Sequence, residues 1–312
     1  MTTDTKKSHR PPLGAILVVP LVVALILTLF AWPAAKVGPR DLDVGVAGPP
    51  VMAQQLAQAG DRFDVHRYAD EAAAREAIKD RDVYGAFVAT PDGPKILTAS
   101  AASPAVAQML AHAAQGATVE DVVPAPPSSN GLAASVLPLV LAGILTGGIV
   151  AAIGGGTWRR IGLLLTGSVL TGYGAALIVQ SWLVVVGGDY LVNGAVLSLT
   201  VLAIAATIAG LEALLGKAGV ALGALAMVFV GNPFSGVATS PDMLPTAAGT
   251  LGQLLPPGAG GNLLRSTGFF DGAAAGGHIA VLVTWALAGF ALLGIAALRG
   301  RRTAPVAVPV AA

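Results

Sequence analysis

The sequence predicts an α-helical polytopic membrane protein of six transmembrane helices, with a small extracytoplasmic α/β domain between helices 1 and 2. Three observations predict it. Apolar residues make up 54% of the 312-residue chain and Asp, Glu, Lys and Arg only 11%, against roughly 25% charged in soluble domains. The mean hydropathy of +0.74 leaves too few polar groups to cover a water-soluble particle. Apolar runs near the ~20 residues that a hydrocarbon core of ~30 Å requires recur along the chain. Charge is also segregated: the net charge is only +1, yet residues 36–130 hold eight of the 18 Lys and Arg and 12 of the 17 Asp and Glu.

Residues 1–12 carry Lys6, Lys7 and Arg10 and form a tail before the first apolar run, 13–32, within an anchor of 13–35. That run is longer than the roughly 7–15 residues of a signal-peptide core. Cleavage near Ala34 or Ala35 would also put Trp32 or Pro33 where a small residue is needed, so an uncleaved anchor is expected. Residues 36–130 form the water-facing domain. Within it, 43–47 (DVGVA) reads as a strand stopped by Gly48-Pro49-Pro50, and 51–59 as a helix ending at Gly60. A strand at 63–68 follows, and Asp70 is placed to cap a helix over 71–79. Residues 83–89 (VYGAFVA) read as a buried strand, 95–98 as a possible further strand, and 103–115 as a helix. The order β-α-β-α-β-(β)-α describes a small α/β domain, joined by a proline-rich linker at 124–130.

The remainder, 131–312, is expected to be a five-helix membrane domain with spans at 132–153, 161–186, 191–211, 220–230 and 279–298. The fifth is short. Between it and the sixth, 232–277 is rich in Gly and Pro and nearly uncharged, and 243–255 and 262–270 read as short helices at, or dipping into, the membrane surface. Irregular backbone at that depth is tolerated only when it is buried in protein or lines a cavity. Lys and Arg favour the cytoplasmic side. Placing both termini inside gathers Arg159, Arg160, Lys217, Arg299, Arg301 and Arg302 with the N-terminal cluster, leaving Arg265 alone in the short outer loops. The GxxxG pairs Gly143–Gly147 and Gly219–Gly223 permit close helix packing, and the glycine-rich second, third and fifth spans are candidate interfaces between two copies.

Zero cysteines exclude disulfides, cysteine-ligated metals and cysteine nucleophiles. The run 210–217 (GLEALLGK) departs from a phosphate-binding loop, with five residues between its glycines and Ala218 where Ser or Thr is required. No nucleotide site is expected, and any ATP-driven work needs a second subunit. The four histidines show no metal-ligand spacing and no nucleophile elbow is present. No enzyme activity, catalytic residue, metal, cofactor or nucleic-acid partner is therefore expected. No span carries an ionisable residue at its centre, which disfavours ion coupling through buried carboxylates. Gln180 and Tyr173 are candidates for a polar path, and Arg265 and Asp271 for gating charges.

Three stretches carry a family likeness: 42–47 (LDVGVA) after the anchor; 70–90 (DEAAAREAIKDRDVYGAFVAT) with Pro91; and 243–272 (MLPTAAGTLGQLLPPGAGGNLLRSTGFFDG) with Pro245, Pro256 and Arg265. In these and in its layout the chain resembles the ABC type-2 (ABC-2) permease superfamily, in particular its phage-infection-protein (Pip-like) branch. The resemblance implies a bacterial plasma-membrane (inner-membrane) permease subunit without a nucleotide-binding domain of its own. It would pair with a separate cytoplasmic ABC ATPase, form a homodimer or heterodimer of permeases within membrane lipid, and export a hydrophobic or amphipathic substrate. The alternative is a non-transporting envelope protein whose outer domain binds a partner or a cell-wall component.

Overall fold

A computed structural model describes residues 13–58, 60–113 and 116–303. Lys6, Lys7 and Arg10 lie outside the described residues. Helix α1 (Leu13–Ala35) leads into a small α/β domain of β1 (Leu42–Ala47), α2 (Pro50–Ala57), β2 (Phe63–Arg67), α3 (Glu71–Lys79), β3 (Gly85–Thr90), β4 (Gly93–Thr98), α4 (Pro104–Ala113) and β5 (Thr118–Asp121). Its five strands form one sheet in the order β2-β1-β3-β4-β5. β1 pairs in parallel with β2 and β3, β3 with β4 antiparallel, and β4 with β5 parallel. The expected elements are all present, and β5 is an additional strand. Asp70 caps α3 as expected, its Oδ1 accepting from Ala73 N at 2.8 Å.

The helical part follows: α5 (Asn130–Ile153), α6 (Thr157–Ala176), α7 (Tyr190–Leu215), α8 (Lys217–Leu225), α9 (Thr246–Gln253), α10 (Pro256–Phe269) and α11 (Ala275–Thr303). Both α6 and α8 run on as π-helical turns, to Trp182 and Gly231 respectively. Five stretches are long and apolar enough to cross a membrane: Val18–Ala35, Asn130–Ile153, Thr157–Trp182, Tyr190–Leu215 and Ala275–Arg299. This is consistent with a multi-pass membrane protein. The expected fifth span corresponds to the shorter apolar helix Lys217–Gly231.

α7 is the central pillar, with 78% of its apolar window buried against 22–33% for the windows of α5, α6 and α11. It is apolar all round, as a helix enclosed by others must be. Small residues allow the approach. Gly172 of α6 meets the backbone of Ser198, and Gly289 of α11 meets that of Ala206. Gly143 and Gly147 face Ile204, Ala205 and Ile208 of α7, while Gly219 and Gly223 face Leu211 and Ile208. These GxxxG surfaces are thus occupied by α7 of the same chain rather than left bare for a second copy.

α1 is the exception. Only 6% of its apolar stretch Val18–Ala35 is buried, and toward its Ala35 end Phe30 meets Phe229 edge-on at 6.1 Å and Trp32 meets Phe234 at 6.3 Å.

Candidate functional site

The segment from Asn232 to Gly272 is where the sheet domain and the helices meet. Pro256 and Pro257 open α10 at positions whose N–H groups would have no helical partner anyway. Pro256 to Ser266 are then buried without interruption, although Asn262, Arg265 and Ser266 are polar. Buried polar groups must be hydrogen bonded, and here they bond one another and the surrounding backbone. Gln253 Nε2 donates to Ser235 O at 2.8 Å, Asn262 Nδ2 to Gln253 Oε1 at 2.7 Å, Arg265 Nη1 to Asn262 Oδ1 at 2.9 Å and Arg265 Nη2 to Val237 O at 2.7 Å. Arg265 Nε has no partner among the described residues. The irregular run 232–243 is thereby fastened to α10.

A second branch leaves the same helix toward α6 and α7. Thr267 Oγ1 donates to Asn193 Oδ1 at 2.7 Å, and Asn193 Nδ2 donates to Gln180 Oε1 at 2.9 Å and Gly187 O at 2.7 Å. Gln180 Nε2 donates in turn to Gly188 O at 2.8 Å. Fully buried Asn193 is therefore satisfied at both ends of its amide.

The four residues singled out from sequence fall into three places. Arg265 and Gln180 belong to the two branches rooted on α10. Tyr173 lies beside the second branch, its hydroxyl donating to Leu191 O at 3.1 Å and its ring 6.0 Å from that of Tyr190. Asp271 is exposed in the turn after α10, at φ 49°. The guanidinium of Arg265 and the carboxylate of Asp271 are not brought together.

The sheet domain reaches this junction through residues that sequence reasoning passed over. Arg81 follows the C-cap of α3 at φ 64°. There Arg81 N donates to Ile78 O and Asp82 N to Ala77 O, the Schellman arrangement in which glycine is usual. From that position Arg81 Nη1 donates to Asn262 O at 3.2 Å and to Ser266 Oγ, and the guanidinium stands 5.3 Å from the Phe270 ring centroid. Burial lowers its pKa. Tyr84 accepts from Ser240 Oγ at 2.8 Å, and burial followed by the nearby Asp242 charge raises its pKa. Asp242 is raised chiefly by its own burial.

Apolar contacts repeat the pattern. Phe270 lies in the cluster formed by α3 and one face of the sheet, with Ile78, Ala86 and Leu97. Met243 lies in the separate cluster of Leu42, Val44, Ile96, Val106 and Leu110. The two cores of the sheet domain are thus each completed by a residue from the segment between α8 and α11.

Elsewhere on the sheet domain, Glu71, Arg75, Lys95 and Glu120 form an ion-pair network with distances of 2.6–2.9 Å. Hydrogen bonds from Arg75 and then Lys95 hold the Glu120 carboxyl down at about 2. The pKa of Glu71 is lowered by Lys95 and then Arg75. Among the described residues, Asp43, Asp64 and His66 are the group that could hold a metal ion. His66 Nε2 lies 2.7 Å from Asp43 Oδ1 and 3.9 Å from Asp64 Oδ2. No histidine spacing announces this grouping, because it arises from the parallel register that pairs Asp43 with Asp64 and Gly45 with His66. At the opposite end of the helices, Arg160 Nη1 pairs with Glu212 Oε2 at 3.2 Å.

Comparison with known proteins finds no matching family model, no matching curated protein and no matching solved structure.

Proposed function

We propose that this chain is the membrane-spanning permease subunit of an ABC-2 type exporter, working with a separate cytoplasmic ATPase to move a hydrophobic or amphipathic substrate across the plasma membrane. The observation that carries the reading is the double seating of the sheet domain on one segment of the helical part, by Met243 in one core and Phe270 in the other. Fully burying such side chains contributes ~1.5–3 kcal/mol each. A transport subunit has to pass helix movements on to its outer face, and an outer domain fastened to α10 is placed to move with the helices. A tethered binding module needs no such seating, since a linker alone would present it.

Three further features support the reading. The segment between α8 and α11 has two short helices, the partly exposed α9 and the buried α10, where the resemblance expects a membrane-surface segment. Arg159, Arg160, Lys217 and Arg299 cluster at one end of the helices, which suits a cytoplasmic face with both termini inside and residues 36–130 outside. The bare flank of α1 is available to lipid or to a second permease copy.

The test is a mild-detergent pull-down of the tagged chain with mass spectrometry and an ATPase assay on the eluate. A stoichiometric cytoplasmic ATPase whose turnover depends on this chain is the expected outcome. A homo-oligomer without ATPase, recovered again under gentler solubilisation, would sink the exporter reading in favour of an envelope protein with a binding outer domain.

A further inference from the structure

We infer that the cleft between α5 and α6 is a binding site for one acyl chain of a membrane lipid. The inference rests on the multi-pass membrane part of the reading above and on nothing about ATP. α5 and α6 both pack on α7, and toward their Asn130 and Trp182 ends they part to leave a cavity of about 580 Å³. Its floor comes from Leu197 and Thr200 of α7 and from α10. Pro257, Gly260, Gly261 and Leu264 of α10 line it, and their i, i+3, i+4, i+7 spacing places them on one helix face. Gly260 packs directly on Thr200 and Gly261 on Val237, too closely for either to carry a side chain, so α10 closes the cavity from behind.

The chemistry of the walls selects the occupant. Ser135 Oγ donates to Gly131 O at 2.7 Å and Thr200 Oγ1 to Val196 O at 2.9 Å, so these hydroxyls are committed to their own helices. The one further hydroxyl in the lining is that of Thr171; a bound water needs two to four polar partners and a polar ligand needs several placed donors or acceptors, which a single hydroxyl among apolar walls does not supply. Length points the same way. From Gly131 to Ala142 the α5 wall covers 11 residue steps, ~16 Å at 1.5 Å per residue. That is about half of a ~30 Å hydrocarbon core, the depth of one leaflet. The outer end lies beside Trp182, which is 75% exposed, as an interfacial tryptophan would be. Taking a methylene at about the ~30 Å³ a water occupies in the liquid, the volume holds roughly 15–20 methylenes, one chain and not two. A chain seated there touches one face of α10, while Asn262, Arg265 and Ser266 of the same helix hold the loop and the sheet domain. Occupancy therefore bears on the helix that carries the outer domain.

The test uses the full chain in phospholipid vesicles containing a small fraction of phosphatidylcholine with a diazirine in one acyl chain. Adducts are mapped after irradiation by proteolysis and mass spectrometry. The expected adducts concentrate on α10 at 257–264 and on the cleft walls, above the convex surface at Leu145 and Leu170, which are 63% and 70% exposed. Gly174 lines the cleft, and nothing lies within 4 Å of where its side chain would begin, so Gly174→Phe fills the space without meeting backbone. Ala134→Phe fills it from the opposite wall. Each should lower the α10 yield about tenfold or more, the equivalent of at least ~1.4 kcal/mol. Gly162→Phe, equally open but outside the cleft, should leave the yield unchanged. Having two filling variants guards against one that fails to fold. Even labelling of all lipid-facing positions, or undiminished α10 labelling in both folded filling variants, overturns the site and leaves the exporter reading standing. A chain that alkaline carbonate strips from vesicles overturns the membrane reading and the site together.

Discussion

Arg81 occupies a left-handed backbone position that an L side chain adopts only at a cost, of order 1 kcal/mol or more. What it obtains there is reach: two acceptors on α10 and the face of Phe270. Arg81→Gly should therefore relieve the local strain while releasing the junction. Hydrogen exchange checks this. Amides near 262–273 should exchange about tenfold faster or more, for a loss of ~1.4 kcal/mol, with those of α3 unchanged; equal loosening of α3 would make Arg81 a residue of its own helix alone. Arg265→Ala should be harsher. It strands Asn262 Oδ1 and Val237 O in a buried place, at ~1–3 kcal/mol for each unsatisfied group, and should lower the thermal midpoint by several degrees; an unchanged midpoint would show that water reaches the site. Of these two residues only Arg265 was legible beforehand, as the one basic residue in a nearly uncharged stretch. Arg81 looked like one more charge in a solvated turn, because its partners lie 181 and 185 residues away. Gln180 was legible as a polar residue in an apolar run, but its role was not, since Asn193 and Thr267 reach it through tertiary packing.

Among elements, those with a local signal were readable and those formed by pairing were not. α3 announced itself through Asp70 at its cap and Glu71 and Lys79 at its two ends, and its observed bounds match the expected ones. β5 (TVED) has four residues and no apolar alternation; it is a strand because β4 offers a parallel edge. The short α8 and its continuation were visible as a run of only 11 apolar residues, but the π-helical geometry of Ala226–Gly231 has no composition signal. The ion-pair network across β4, β5 and α3 has a definite pH sign. The ordinary Glu value is ~4.3, and Glu120 in the folded chain sits at about 2. The stability it supplies is therefore complete above the ordinary range and is lost as the pH falls from there toward 2. Because the groups are partly exposed, salt should weaken the effect. Asp242 acts in the opposite sense: its raised pKa means that stability falls as the pH rises from the ordinary Asp range through the raised value. Thermal unfolding in detergent at several acidic pH values, for the native chain and Glu120→Gln, separates the two. The variant should lose the steep decline below the ordinary Glu range, and an unaltered decline would assign it elsewhere.

On the scale of the whole molecule, the segment between α8 and α11 makes one body of what composition divides into two. The charge-rich 36–130 and the apolar remainder read as separate units from sequence, because residue counts see segregation but cannot see that Met243 and Phe270 are borrowed by the former. A chain without cysteines lets the sidedness be measured first. Asp92→Cys should react with an impermeant maleimide in intact cells and Lys217→Cys only after lysis; the reverse pattern would invert the orientation. The unity of the body has its own test. Met243 and Phe270 fill different cores, so their contributions should add, as those of separated sites do. Truncation to Ala of a buried Met costs ~2–5 kcal/mol and of a buried Phe ~3–5 kcal/mol, which together approach the ~5–15 kcal/mol that holds a typical domain. The native chain should then unfold in one cooperative transition, and the Met243→Ala, Phe270→Ala double variant in two, with the sheet domain melting first. Were the native chain already to show two transitions, the seating would be a contact and not a coupling. The sheet domain would then be free to act as the independent binding module that the exporter reading argues against.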